Sequence, residues 1–277
     1  MQAPKRDKNN KPLYTGRTAE IFEWQPGQFI KLFNKGYMLD DVEKEIKGTI
    51  AAEKAGLIVP KLDPKARLFN FRYGIVMNEV EGDTLKEKLL AKPWKLKQYF
   101  NLMVHEHVKI NSIEAPVDMP CQTEAVLKVL SESQCFSQEE VNRLKELLIG
   151  LPQGSKLCHG DMHPENLIYH SDKLTTIDWC DARRGNPIGD LANTSMTISH
   201  FWRSDFPPNP LFGIFAGMSA RVYLNLYAQL SQFPFDWKQF RYWCCIFSAY
   251  NAEKKSEGCR ERAYLMKSVR RELKNYR

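Results

Sequence analysis

The chain has 277 residues, enough for one large domain or two lobes with their own cores. Its 43% hydrophobic and 26% charged content is that of a globular protein and excludes a largely disordered one. The net charge of +7 suits an anionic ligand such as a nucleotide phosphate. The basic residues are dispersed, so neither nucleic acid nor a membrane is expected as a partner.

Residues 1–13 read as a flexible basic tail, with no apolar stretch behind the charges that would make a signal peptide. "AEIFEW" and "GQFIKLF" carry β-formers on either side of "QPG" and predict a hairpin. "LDDVEKEIKGTIAAEKAGL" predicts a helix capped by Asp40 or Asp41, with Val42, Ile46 and Ile50 on its apolar stripe and Gly56 near its end. "ARLFNFRYGIVMNEV" predicts two more strands around a turn at Arg72–Gly74. After "EVEGDTL" the period becomes helical. Pro93 opens one helix, and Ser137 with Glu140 forms a capping box on another. Beyond Asp190 the pattern is helical except at "DFPPNP" and "QFPFDW". The apolar run Leu211–Leu230 is broken by Ser219, Arg221 and Asn225 and is too polar to span a membrane. Seven cysteines without a C-x-x-C pair read as reduced thiols of a cytoplasmic protein. The architecture expected is α+β: a small β-rich lobe over residues 14–80 and a larger helical lobe over 81–277.

One β signal lies inside that helical lobe. In "HGDMHPENLIYHSDKLTTIDW", "LIY" and "LTTIDW" flank a turn, so Asn166 and Asp178 fall at one end of a hairpin. Two hard oxygen donors there suit Mg²⁺, which keeps waters and phosphate oxygens as its other ligands. Asp161, on the loop leading in and not needed for the metal, could accept a proton from a hydroxyl nucleophile. Protein kinases place a base aspartate five residues before a metal-binding asparagine, with a second metal aspartate downstream, a lysine on an earlier strand and a glutamate on the next helix. Lys31 in "FIKLF" and Glu43 or Glu45 in "DDVEKEIKG" supply the last two.

With these motifs, and with "GRTAEIFEWQPGQFIKLF", "MNEVEGDTL" and "TIDWCDARRGNPIGDLA", the chain resembles the aminoglycoside phosphotransferase/choline kinase-like family. The resemblance implies a protein-kinase-like fold and the cofactors ATP and Mg²⁺. It makes Asp161 the base and Asn166 and Asp178 the metal ligands. Lys31, steadied by Glu45 in preference to Glu43, would contact the α- and β-phosphates. Gly16, Arg17 and Thr18 would cover the phosphates, although no G-x-G-x-x-G is present. Met77, Asn78, Glu79 and Val80 would form the hinge that binds adenine. Glu165 stands where many members carry glycine. His159 and His107 are expected to organise structure, Asp190 to anchor the catalytic loop, and Asp181, Arg183 and Arg184 to face either solvent or substrate. The function implied is transfer of the ATP γ-phosphoryl to a hydroxyl of a small molecule: aminoglycoside-like, amino alcohol, homoserine or sugar. The positive charge weighs against a polycationic aminoglycoside. The alternative is a nucleotide-binding pseudokinase acting through a protein partner. A protein kinase is disfavoured, because neither F-G after Asp178 nor a later A-P-E is present.

Overall fold

The computed structural model describes residues 11–16, 18–204, 210–231 and 233–275, with backbone only at 200–204 and 210–216. Arg17 and residues 1–10 of the expected tail lie outside them. The chain begins with β1 (Tyr14–Thr15), β2 (Ala19–Gln25), β3 (Gln28–Phe33), α1 (Leu39–Lys54), β4 (Arg67–Phe69) and β5 (Arg72–Asn78). It continues through β6 (Asp83–Thr84), α2 (Leu85–Ala91), a 3-10 turn at Pro93–Lys95, α3 (Leu96–Ser112), α4 (Gln122–Ser131) and α5 (Gln138–Gly150). Next come β7 (Lys156–Cys158), a 3-10 turn at Pro164–Asn166, β8 (Leu167–His170), β9 (Lys173–Thr176) and β10 (Arg183–Gly185). Helices α6 (Pro187–Ser204), α7 (Pro210–Leu230), α8 (Trp237–Glu253) and α9 (Arg260–Asn275) follow.

These elements form two compact units: residues up to Trp94 with Pro164–Ala182, and Lys95–His163 with Arg183 onward. The sequence reading places the β8–β9 hairpin with the helices. In the structure it groups with the first unit, because β6 pairs onto β8 through Asp83↔Tyr169 and Thr84↔Ile168.

In the first unit an antiparallel sheet runs in the order β1-β2-β3-β5-β4. Strand alternation on β3 sends Ile30 and Leu32 to one face, where they pack with Phe69 and Val76. Phe33 points to the other face and packs with Val42 and Ile46 of α1. Lys31 shares the parity of Phe33, and this is what aims it at the helix. The turn between β4 and β5 is not at Arg72–Gly74 but at Asn70–Phe71, which take φ of 47° and 62°. Gly74 serves strand packing instead, since a Cβ there would lie 3.1 Å from the Ile30 side chain and the Lys31 carbonyl. Helix α1 also starts earlier than expected. Met38 is its N-cap, and Asp41 at the third helical position accepts the Met38 N–H at 3.2 Å.

The second unit holds helices α3 to α9 and the β7–β10 ladder, whereas α2 belongs to the first. Ser137 caps α5 and Glu140 closes the box as expected. Asp236 caps α8 through the Lys238 and Gln239 N–H groups, which explains the break at "QFPFDW". All seven cysteines are free. Among the described residues no helix is long and apolar enough to cross a membrane.

Candidate active site

In the first unit, Lys31 donates to both Glu45 oxygens at 2.8 Å and to Asp178 Oδ1 at 2.8 Å. Helical spacing explains why Glu45 is the partner. Val42, Glu45, Ile46 and Thr49 form the buried stripe of α1, whereas Glu43 is exposed. Burial opposes the Lys31 charge, but Glu45 and then Asp178 outweigh it and hold the ammonium above its usual range. Burial pushes Glu45 up to about 7; Asp178 acts in the same sense and Lys31 in the opposite one. With both oxygens on the ammonium, we read Glu45 as the charged partner of Lys31. Two carboxylates then share one ammonium, so the cluster has negative charge to spare for a cation.

Asn166 ends the 3-10 turn before β8, and its carbonyl accepts the Ile177 N–H at 3.0 Å. Hairpin register therefore sets Asn166 and Asp178 at the same end of β8–β9. Asp178 has φ +63°, a left-handed conformation rare outside glycine and asparagine and common at functional sites. An amide oxygen and a carboxylate are hard donors, and with the surplus charge beside Lys31 they fit Mg²⁺. Among the described residues there is no group of three or more His, Cys, Asp or Glu that could hold a metal. Glu165 pairs with Lys86 of α2 at 2.6 Å, tethering the turn that carries Asn166.

Gly48 is a positioning residue that the sequence reading passed over, although a glycine on the buried face of a helix is itself a signal. A Cβ there would meet the Trp179 carbonyl at 2.7 Å and the Ala182 Cβ at 3.0 Å. Its absence lets α1 lie flush against the segment after Asp178. Gly48→Ala is expected to destabilise by about 2 kcal/mol, because overpacking against backbone exceeds the helix-propensity gain of about 1 kcal/mol. Urea unfolding measures this, and a stability gain instead would show that the helix has room to spare.

The phosphate-side expectations fare unevenly. Gly16 and Thr18 sit in the β1–β2 turn, where the Gly16 N–H donates to the Ala19 carbonyl and the Thr18 carbonyl accepts from the Asn34 N–H, both at 2.8 Å. In the expected hinge, the Asn78 N–H is taken by the Lys61 carbonyl and the Glu79 N–H by the Gly27 carbonyl. Met77 is half-buried on β5, and the N–H of Val80 stands outside these pairings.

In the second unit, Asp161 lies on a loop fixed by Asp190 of α6. Asp190 Oδ1 accepts the Gly160 N–H at 2.9 Å. Oδ2 accepts from the His159 N–H at 2.9 Å and from Asn111 Nδ2 and His107 Nε2 at 3.0 Å. His107 and Asn111 stand one turn apart on α3, and Tyr223 and Tyr227 one turn apart on α7, so each pair meets at one level. Burial would raise the Asp190 pKa, but the hydrogen bonds led by His107 outweigh it and hold the carboxyl at about 2. A depressed folded value means a stabilising contribution that is complete above the unfolded value of about 4 and lost as pH falls through about 2. Asp190→Asn is therefore expected to lose about 3 kcal/mol near neutral pH. Its deficit against wild type should shrink between about pH 4 and 2 in urea melts; a constant deficit would refute the charged assignment. His159, fully buried, accepts the Asp161 N–H on Nδ1 at 3.3 Å, as expected of a loop organiser. His163 Nε2 lies 3.5 Å from Asp161 Oδ2. Arg183 donates to the Tyr250 hydroxyl at 3.1 Å, and with Arg184 it forms part of β10.

Residues 115–233 match the model of the phosphotransferase enzyme family. No curated protein matches the sequence. Among solved structures, the chain is similar to a thermostable mutant of the aminoglycoside phosphotransferase APH(4)-Ia in a ternary complex with AMP-PNP and hygromycin B. The identity is 12%, covering 95% of this chain and 92% of that one, with a TM-score of 0.64. A choline/ethanolamine kinase family protein from Mesorhizobium loti is similar at 15% identity over 96% and 86%, TM-score 0.59. The amicoumacin kinase hAmiN, in complex with AMP-PNP, Ca²⁺ and Ami, is similar at 15% over 95% and 87%, TM-score 0.64. The fold is thus the protein-kinase-like one of aminoglycoside phosphotransferases and choline kinases, and the resemblance read from the motifs is borne out.

Proposed function

We propose that this chain is an ATP- and Mg²⁺-dependent phosphotransferase that moves the γ-phosphoryl group to a hydroxyl of a small molecule. The observation that carries this reading is the Lys31–Glu45–Asp178 cluster, a buried lysine and glutamate joined by a half-buried aspartate, two acids on one base beside a second oxygen ligand, Asn166. Burying an ammonium and a carboxylate, with a second carboxylate half-buried beside them, is unfavourable unless their arrangement serves a purpose. A polyphosphate with its metal ion supplies one.

Lys31 binds the α- and β-phosphate oxygens, and Glu45 holds its ammonium in place for them. Asn166 and Asp178 hold the metal, which when bound neutralises charge on the β- and γ-phosphates. Asp161 orients the acceptor hydroxyl and takes its proton as the phosphoryl group transfers. Gly16 and Thr18, both half-buried, cover the phosphates together with Arg17, which lies outside the described residues, and Met77–Val80 flank the adenine. With Asn78 and Glu79 N–H groups already engaged, Val80 is the donor we assign to the base.

The acceptor class stays at small hydroxyl compounds, with amino alcohols, homoserine and sugars ahead of polycations on charge grounds. The test is ADP release from Mg·ATP against a panel of aminoglycosides, amino alcohols, homoserine and sugars, with EDTA as control. One acceptor that raises EDTA-sensitive ADP release and appears phosphorylated by mass spectrometry supports the proposal. Tight ATP binding with no turnover on any acceptor would favour a binding role.

A further inference from the structure

The loop peptide before Asp161 is held from two sides, and only one side was anticipated. Gly160, at φ +83°, gives its N–H to Asp190. Its carbonyl accepts from Nδ2 of Asn193 on α6, and Asn193 Oδ1 accepts from Nδ2 of Asn251 on α8 at 2.9 Å. Asn193 is buried and Asn251 half-buried. The three groups form a line from the last turn of α8 to the residue preceding the expected base.

This line has a polarity that the backbone dictates. A carbonyl only accepts, so Asn193 must present its NH₂ group to Gly160. Its oxygen then faces Asn251, which must present its own NH₂. Neither amide can be turned over without setting two oxygens against each other.

We infer that Asn251 is a positioning residue for phosphoryl transfer: through Asn193 it fixes the Gly160 carbonyl, and hence the direction in which Asp161 leaves the loop. The inference rests on the reading of Asp161 as base. Neighbouring residues of α8 reinforce its role as an anchor. Tyr250 accepts from Arg183, and Glu253 accepts the Gln134 and Cys135 N–H groups at 3.1 Å. Asn251 is the one of these that reaches the loop of Asp161.

Two variants separate polarity from packing. Asn251→Asp keeps the size and replaces the donor by an acceptor facing Asn193 Oδ1. Either those oxygens repel, or the Asn193 amide turns over and sets its oxygen against the Gly160 carbonyl. Asn251→Ala removes more volume but creates no repulsion. If Asn251 only filled space, alanine would be the more damaging change. Acting through polarity, aspartate is: kcat falls about tenfold or more in Asn251→Asp and about threefold or less in Asn251→Ala. Nucleotide affinity and KM for the acceptor are unchanged in both.

Hydrogen exchange at the Gly160 and Asp161 amides, measured on the full chain, is read in parallel. Exchange is expected to rise more in Asn251→Asp than in Asn251→Ala. Should wild type turn over no acceptor, the functional reading fails, yet the exchange comparison still decides the relay. Equal exchange in wild type and both variants, or a larger effect of alanine on either readout, overturns the inference. Asn193→Asp, which places an acceptor against Gly160 directly, serves if Asn251→Asp does not fold and is expected to give the same rise in exchange; wild-type exchange there overturns it equally.

Discussion

Asp161→Asn is expected to lower phosphoryl transfer about 10²-fold or more while leaving nucleotide affinity within about twofold. The side chain keeps its size and an accepting oxygen, so it can still orient a hydroxyl but cannot take the proton. A base contributes about 10²–10⁴-fold in general. The largely dissociative transition state of phosphoryl transfer demands little deprotonation before the phosphoryl group leaves, which places the loss towards the lower end. The backbone around Asp161 is held through His159, Asp190 and Asn193, so the loop should survive the change. Steady-state ADP release and titration calorimetry with nucleotide measure the two effects separately. Turnover equal to wild type would remove Asp161 from the role of base. A parallel collapse of nucleotide affinity would mean that the carboxylate supports the fold.

How much of this was legible in the sequence depends on the distance over which each constraint acts. Lys31 and Glu45 were readable because strand and helix periods are local: parity with Phe33 aims the lysine, and the Val42–Ile46 stripe buries the glutamate. Asn166 and Asp178 were readable because a hairpin converts sequence symmetry into spatial proximity. The turn at Asn70–Phe71 was misplaced for a local reason. Gly74 looks like a turn glycine, whereas its missing side chain makes room for Ile30 on the neighbouring strand. The start of α1 was misjudged because an acid at the third helical position can satisfy the cap as well as one at the N-cap. What composition and period could not show were partners far apart in sequence. Asn193 meets Gly160 at a separation of 33 residues and His107 meets Tyr223 at 116. Nothing local distinguishes those asparagines and tyrosines from solvated or merely apolar ones.

Asp178→Asn should separate activity from stability more sharply than any other change at this site. Turnover is expected to fall at least about 10²-fold, because the proposed metal loses its only charged protein ligand. Folding stability should stay within about 0.5 kcal/mol of wild type or rise. Two observations set that second expectation. Asp178 and Glu45 compete for one ammonium, so neutralising Asp178 leaves Glu45 with an undivided partner. Asparagine also tolerates the left-handed backbone that Asp178 adopts at φ +63°. Asp178→Ala shares the first effect and lacks the second, so it should fold about 1 kcal/mol less stably than the asparagine variant. Urea unfolding of both, beside ADP release, gives the comparison. Equal stabilities would show that the strained backbone at Asp178 relaxes when its side chain is removed, and that the lysine holds it there. A loss of several kcal/mol in both variants would instead make Asp178 a structural ion-pair partner, and the metal ligand would have to be sought elsewhere on the hairpin.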